Sequence, residues 1–133
     1  MGDDILDGLV AAASEARERL YAPYSGFAVG AAILAGGTTF VGVNIENASY
    51  PLSVCAERNA VASMVGSGQK KVLAVAVATN AKTPTPPCGG CRQVLWEFGD
   101  ADTPVVAEGA DGIRVRWRLG ELLPDAFGPD DLR

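Results

Sequence analysis

Two short stretches organise the chain: Cys55-Ala56-Glu57-Arg58 and Pro87-Cys88-Gly89-Gly90-Cys91. Between them they hold all three cysteines of the 133-residue sequence. Three thiolates beside a carboxylate form the donor set of a catalytic zinc ion, which takes three protein ligands and leaves a fourth position open. We therefore interpret the rest of the sequence as a scaffold that brings the two stretches together under a substrate pocket.

Composition predicts one globular domain spanning residues 1–133, with 48% hydrophobic and 20% charged residues. The net charge of −5 and the lack of a basic stripe argue against a nucleic-acid polymer as partner and favour a small molecule. Three cysteines cannot all pair within one chain, so reduced thiols and a cytoplasmic location are expected. Neither a basic-then-apolar leader nor an apolar run of ~20 residues is present, so we expect no signal peptide and no membrane partner.

The sequence contains no histidine. This excludes Ser-His triads, imidazole metal ligands and histidine acid/base chemistry. Proton transfer near neutral pH must then use a carboxylate, a thiol or a metal-activated water.

Hydrophobic periodicity predicts a first helix over residues 4–21, ended by Pro23. Residues 27–35 and 38–45 predict a hairpin around Gly36-Gly37, with both strands covered on both faces. Further along, a helix over 55–65 takes Ser53 as its N-cap. The remaining elements are a buried strand at 72–78, a proline-stiffened connector at 79–87, a helix at 90–98, strands at 104–108 and 113–117, and a helical turn at 120–123.

This order of elements, α-β-β-α-β-α-β-β-α, predicts an α/β fold. We expect a three-layer α-β-α arrangement with a mixed five-stranded sheet. Helices between parallel strands begin at the carboxyl ends of those strands, where ligands tend to bind.

Cys88 and Cys91 are three residues apart, so at the start of a helix they share one face and can bind one metal ion. A thioredoxin-like redox motif is an alternative, but it predicts a strand and helix leading into a motif near the N-terminus. A purely structural zinc site is a second alternative. It requires a fourth protein ligand, and the chain has no further cysteine and no histidine.

Cys55 and Glu57 are two residues apart, which in a regular helix places them about 200° apart around the axis. They can face the same point only if Cys55 stands at the very start of the helix. Two alternatives stay open on this spacing alone: Cys55 as a small buried hydrophobe, and Glu57 as a first-turn glutamate that favours the helix dipole.

Zinc with three thiolates carries a formal charge of −1, which weakens its effect on a bound water. Two helix N-termini would offset this charge. Arg58 would donate hydrogen bonds to the thiolate sulfurs. For Arg92 we expect a salt bridge at the surface.

Cys-Ala-Glu-Arg followed by Pro-Cys-x-x-Cys resembles the zinc nucleoside deaminase signature, in its three-cysteine form, with the glutamate as general acid/base. The sequence as a whole resembles the small homotetrameric cytidine deaminases over about residues 6–132. The departure at Gly89-Gly90, where many relatives have Gly-Ala, would loosen that turn. Matching segments lie at 22–25, 27–32, 42–47, 91–93 and 121–127.

The resemblance implies hydrolytic deamination of cytidine and deoxycytidine to uridine and deoxyuridine plus ammonia, in pyrimidine salvage. It implies that Cys55, Cys88 and Cys91 bind Zn²⁺ and that Glu57 moves protons between the attacking water, N3 and the leaving amine. It also implies a homotetramer with active sites between subunits. The implied substrate contacts are Phe27 to the pyrimidine, Asn44 and Glu46 to the ribose 3′-hydroxyl, Ala56 to the base through its backbone, Tyr50 in the intersubunit pocket wall, and Phe127 from a neighbouring subunit.

Alternatives remain at this point. Phe27 and Phe127 could be core residues. A blasticidin S deaminase-like enzyme would share the metal motifs, although Asn44-Ile45-Glu46 favours the plain nucleoside. A non-catalytic, zinc-stabilised binding module would hold the metal without turnover.

Overall fold

A computed structural model describes residues 2–133, in which one five-stranded sheet carries four α-helices. Their order matches the predicted α-β-β-α-β-α-β-β-α, and short 3₁₀ turns add to it at Tyr50–Leu52 and Pro129–Leu132. The elements are α1 (Asp3–Arg17), β1 (Val29–Ala35), β2 (Thr38–Val43), α2 (Ala56–Gly66), β3 (Ala74–Thr79), α3 (Gly89–Phe98), β4 (Pro104–Glu108), β5 (Arg114–Arg118) and α4 (Leu119–Leu122).

The strand order is β2-β1-β3-β4-β5, and β3 and β4 form its one parallel pair. The predicted mixed sheet is therefore confirmed. The hairpin turns at Gly36-Gly37, where φ is +57° and +78°. Glycine adopts this left-handed backbone without steric cost, which allows Ala35 to pair with Thr38 directly across the turn.

Helices cover both faces of the sheet, as the three-layer prediction requires. On one face, α1 packs its apolar side (Leu6, Leu9, Val10 and Ala13) against small residues of β1 and β3. On the other face, α2 and α3 enclose the core that includes Met64, Leu95 and Ile33. Strand β1 is buried on both sides, but β2 is largely exposed because it is an edge strand. The prediction that both hairpin strands are covered on both faces is thus confirmed for β1 and wrong for β2.

Two glycines allow helices to approach the sheet backbone closely. A Cβ on Gly30 would lie 2.0 Å from the carbonyl oxygen of Ala13 in α1, and one on Gly42 would lie 2.3 Å from that of Ala56 in α2. Larger residues would push either helix away. Gly42 therefore fixes the distance between β2 and the first turn of α2.

Several predicted boundaries need correction. Helix α1 ends at Arg17, and the chain continues in tighter turns, with Arg19 N–H donating to Ala16 over 2.9 Å, before Pro23 is reached. Cys55, not Ser53, is the N-cap of α2. The Ser53 hydroxyl instead accepts a hydrogen bond from the backbone N–H of Asn47 over 3.0 Å.

Helices α2 and α3 begin within the two cysteine stretches, and their N-termini lie near the carboxyl end of β3. Helix α3 connects β3 to its parallel neighbour β4, so its N-terminus lies at that end of the sheet. Across residues 2–133, no helix combines the length and the apolar character needed to cross a bilayer.

Candidate metal centre and substrate cleft

The three thiols meet at the start of two helices. Cys55 and Cys88 are the N-cap residues of α2 and α3, and Cys91 lies in the first turn of α3. All three Sγ atoms lie within 4.8 Å of one another, and those of Cys88 and Cys91 are 3.4 Å apart. Extended backbone at Cys55 (φ −69°, ψ 153°) turns its thiol back past the helix start. Because Cys55 precedes the helix, its thiol can lie beside Glu57, although two residues at this spacing within a regular helix would be about 200° apart around the axis.

The protonation of the cluster suits a metal ion. A hydrogen bond from Cys91 lowers the pKa of Cys55 to about 6, with further help from Cys88 and the charge of Arg58. The same interaction and burial raise the pKa of Cys91. Sulfur atoms packed this closely cannot all ionise unless a cation replaces their protons. Three thiolates with no fourth cysteine or histidine in the chain fit a zinc ion that retains an open position.

Helix geometry supplies positive potential at the cluster. Both α2 and α3 direct their N-termini at it, so their unpaired N–H groups carry partial positive charge toward the thiolates. Arg58 acts differently from its sequence prediction. Its side chain is exposed, and in the part of the chain that the structure describes it donates no hydrogen bond to sulfur, so it influences Cys55 through charge alone.

Glu57 is buried in the first turn of α2, beside the thiol cluster. Desolvation raises the pKa of its carboxyl to about 7, and the charge of Cys55 contributes in the same direction. A carboxyl group with such a pKa can both accept and donate a proton near neutral pH. These are the properties of a general acid/base rather than of a solvated first-turn glutamate.

A cleft of about 250 Å³ opens above these groups. It brings together four of the sequence-predicted substrate residues, Phe27, Asn44, Glu46 and Ala56, with Glu57. Phe27 is 40% exposed, so it is not a core residue. The remaining lining residues are Val29, Ile45, Ser53, Val54, Cys55, Val77, Thr79, Thr85, Pro86 and Cys88.

Tyr50 and Phe127 do not line this cleft. Tyr50 belongs to an adjoining cleft that shares Glu46 and Ser53 with the first, and its ring meets Tyr24 edge-on with centroids 5.8 Å apart. Phe127 is 59% exposed in the C-terminal segment, where its carbonyl accepts a hydrogen bond of 2.7 Å from Gln93 Nε2. Within one chain, both aromatic rings therefore lie outside the pocket that contains Glu57.

Asn44 also has a structural task that sequence reasoning did not identify. Its Oδ1 accepts from the N–H of Val29 over 3.0 Å, and its Nδ2 donates to the carbonyl of Phe27 over 2.6 Å. These bonds join the end of β2 to the start of β1. Asn44 thus shapes the cleft as well as facing it.

The Glu46 carboxylate is similarly engaged. It accepts hydrogen bonds from the backbone N–H groups of Tyr24 (2.9 Å) and Ser25 (3.1 Å) and from the Ser25 hydroxyl. The bond from the Ser25 hydroxyl is the main cause that lowers the pKa of Glu46. Glu46 therefore stays ionised at the rim of the cleft while it holds the preceding loop.

Within residues 2–133, Arg92 makes no surface salt bridge of the kind predicted for it, because its guanidinium binds two backbone carbonyls. Its Nε donates to Pro87 over 2.7 Å, and a terminal nitrogen donates to Leu122 over 2.8 Å. Pro87 directly precedes Cys88, so Arg92 fixes the peptide that presents this thiol. Nothing local in the sequence indicated that partner, apart from the position of the arginine after Cys91.

Comparison with known proteins identifies this arrangement. The family model for the cytidine and deoxycytidylate deaminase zinc-binding region matches residues 5–107. The cytidine deaminase of Halalkalibacterium halodurans is 46% identical over 93% of this chain and 95% of its own, and that of Mycobacterium tuberculosis is 45% identical over 90% and 87%. A crystal structure of cytidine deaminase from Burkholderia pseudomallei superposes with a TM-score of 0.88 at 44% identity, covering 96% of this chain and all of that one.

Fold and site together define a zinc-containing hydrolytic deaminase. The chain belongs to the cytidine and deoxycytidylate deaminase zinc-binding family. It is therefore an enzyme with zinc as its cofactor, and the reading as a non-catalytic binding module is not supported.

The role of Arg92 can be tested by Arg92→Lys. A lysine ammonium cannot bind two carbonyls in a fixed fork, so the loop before Cys88 should loosen and zinc affinity should fall roughly tenfold. Zinc retained against a competing chelator measures this. Arg19→Lys, at an exposed ion pair beyond α1, is the matched control. Equal zinc affinity in both variants would contradict the assignment.

Proposed function

We propose that this enzyme deaminates cytidine and deoxycytidine to uridine and deoxyuridine, releasing ammonia in pyrimidine salvage. The observation that carries the proposal is the buried Glu57, with a carboxyl pKa raised to about 7, beside three convergent thiols at the base of a cleft that holds Phe27, Asn44 and Glu46. The similarity to cytidine deaminases supports the same substrate. We further propose that residues 1–133 act as one domain in the cytoplasm, where thiols stay reduced.

Cys55, Cys88 and Cys91 would hold the zinc ion, which supplies Lewis-acid activation of a water molecule when it is bound. Glu57 accepts a proton from that water as its oxygen bonds to C4 of the cytosine, and delivers the proton to N3. Glu57 then accepts the remaining proton of the oxygen now bound to C4 and delivers it to the amino group. The bond between C4 and this nitrogen breaks, and ammonia departs. Water and cytidine are thereby converted to uridine and ammonia, with Glu57 returned to its initial state.

The cleft offers groups suited to the rest of the nucleoside. The exposed ring of Phe27 provides an aromatic contact for the base. Ala56 is the first residue of α2, so its N–H has no partner within the helix and can donate to the base. After its bonds to the backbone, Asn44 still has one amide hydrogen to donate, and the Glu46 carboxylate still has lone pairs that can accept. Both side chains can therefore form a hydrogen bond with a sugar hydroxyl.

The charge of the cleft favours nucleosides over nucleotides. None of the residues that line the main cleft or the adjoining one is lysine or arginine. The Glu46 carboxylate, which both clefts share, is held in its ionised form. A 5′-phosphate near this rim would meet like charge without a compensating cation.

We also propose a homotetramer in which Phe127 of one subunit closes the cleft of a neighbour. Support comes from the two aromatic rings that a single chain leaves outside its own pocket, Phe127 and Tyr50, which are 59% and 69% exposed. Tyr50 borders the cleft through shared residues, so a neighbouring subunit placed there would cover its ring and bring its own Phe127 to the opening of the cleft.

Replacing Glu57 with Gln tests the mechanism. The amide cannot exchange protons, so kcat for cytidine should fall by a factor of about 10² to 10⁴ while zinc content stays unchanged. The fall in cytidine absorbance measures turnover. Glu97→Gln, an exposed change on α3, should retain full activity. An active Glu57→Gln variant would refute the assigned role.

A substrate panel tests specificity. Cytidine and deoxycytidine should both be deaminated, and their 5′-monophosphates should show a kcat/KM roughly a hundredfold lower because of charge repulsion at the rim. Blasticidin S is the third arm, and faster turnover of this antibiotic than of cytidine would replace the proposed substrate. Comparable rates on the monophosphates would overturn the argument from charge.

Phe127→Ala tests the intersubunit contact. Losing an aromatic contact to the base should raise KM about five- to tenfold, with zinc content and kcat little changed. Leu132→Ala, at another exposed apolar residue of the same tail, serves as the control. The proposed tetramer would be contradicted if the wild-type enzyme sedimented as a monomer. An unchanged KM in Phe127→Ala would contradict the contact between Phe127 and a neighbouring cleft.

A further inference from the structure

The loop between α1 and β1 presents Phe27 to the cleft but has few backbone bonds of its own. Its local support consists of two hydrogen bonds of 3.0 Å, from the N–H of Gly26 to the carbonyl of Ala22 and from the N–H of Phe27 to the Ser25 hydroxyl. Gly26 adopts a φ of +69°, a region open mainly to glycine. With its ring 40% exposed, Phe27 is not held by burial. Side chains from elsewhere must therefore fix its position.

Asn80, directly after β3, supplies that support from one side. Its Nδ2 donates to the carbonyl of Gly26 and its Oδ1 accepts from the N–H of Ala28, each over 2.9 Å. Its own N–H donates to the carbonyl of Ala28 over 3.1 Å. The last regular pair between β1 and β3 joins Val29 to Thr79. Asn80 thus extends the ladder by one residue and uses its side chain to reach past Phe27.

Asn44 grips the same segment from the other side, through the carbonyl of Phe27 and the N–H of Val29. The bonds of the two side-chain amides alternate along the segment: Asn80 binds the backbone of residues 26 and 28, and Asn44 binds that of residues 27 and 29. The two asparagines differ in their position relative to the cleft. Asn44 lines the cleft, whereas Asn80 is not among its lining residues and can influence a ligand only through the loop.

We infer that Asn80 is a positioning residue for nucleoside binding, which holds the backbone on both sides of Phe27 so that its ring is preorganised against the base. The inference rests on the proposed function, since it assigns Phe27 to the base. An aromatic side chain that is already in place loses less conformational freedom when the ligand binds. Asn80 should therefore govern affinity and leave the proton transfers of Glu57 unchanged.

The experiment compares Asn80→Ala, Asn80→Asp and Asp100→Ala with the wild-type zinc enzyme. Aspartate retains an acceptor for the N–H of Ala28 but cannot donate to Gly26. Asp100 is the matched control because its Oδ1 also stabilises a turn, by accepting from the N–H of Asp102 over 2.8 Å. That turn precedes β4, which runs parallel to β3, so it lies at the opposite end of the sheet from Asn80.

Hydrogen exchange of a peptide covering residues 26–30 tests, without any assay of activity, whether Asn80 holds the backbone around Phe27. Asn80→Ala should accelerate exchange there while residues 53–57 and the zinc content stay as in the wild type. Kinetics test the consequence: KM for cytidine should rise about five- to tenfold in Asn80→Ala, less in Asn80→Asp, with kcat within about twofold. Asp100→Ala should leave both measurements unchanged.

A double-mutant cycle separates positioning from general destabilisation. If Asn80 acts through the ring of Phe27, Asn80→Ala should add little to the KM of Phe27→Ala. Full additivity, an unchanged KM in Asn80→Ala, or unaltered exchange at residues 26–30 would each overturn the inference. If the wild-type enzyme does not deaminate cytidine, the proposed function is refuted instead. The exchange result would then still show whether Asn80 holds the backbone of residues 26–30.

Discussion

The structure depends on the convergence of two helix N-termini on one cluster of sulfur atoms. Both α2 and α3 begin directly after a cysteine, so unpaired N–H groups and partial positive charge surround the thiols. Without that potential, three thiolates and the neighbouring Glu57 would place too much negative charge in a partly buried space. Burial at this junction raises the pKa of the Glu57 carboxyl to about 7, and the charge of Cys55 adds to this effect. The proposed metal binding and proton transfer thus depend on one arrangement.

The sheet determines where those helix ends lie. Parallel pairing of β3 with β4 requires a crossover, and α3 supplies it with its N-terminus at the carboxyl end of β3. Gly42 allows the first turn of α2 to rest on the backbone of β2. Arg92 then ties the peptide before Cys88 to Leu122, the last residue of α4. Each of these features fixes the backbone that presents a thiol.

The walls of the cleft are held by the polar groups that face it. Glu46 binds the loop at Tyr24 and Ser25, and Asn44 binds the backbone beside Phe27. The Ser25 hydroxyl also accepts from the N–H of Phe27 over 3.0 Å, which links the two contacts. A cleft built in this way is largely formed before a ligand arrives, so binding energy is not spent on ordering its walls.

The sequence by itself determined the features that depend on neighbours along the chain. The spacing of Cys88 and Cys91 predicted a metal-binding pair, the resemblance implied that Cys55 and Glu57 complete the site, and hydrophobic periodicity predicted the order of elements and the mixed sheet. Tertiary structure decided whatever depends on residues far apart in sequence. The exposure of β2 follows from its place at the sheet edge. Arg92 binds Leu122, 30 residues away, and Asn80 binds Gly26, 54 residues away. Periodicity and capping rules describe contacts within a few residues, whereas a hydrogen bond between distant segments exists only once the sheet has brought them together.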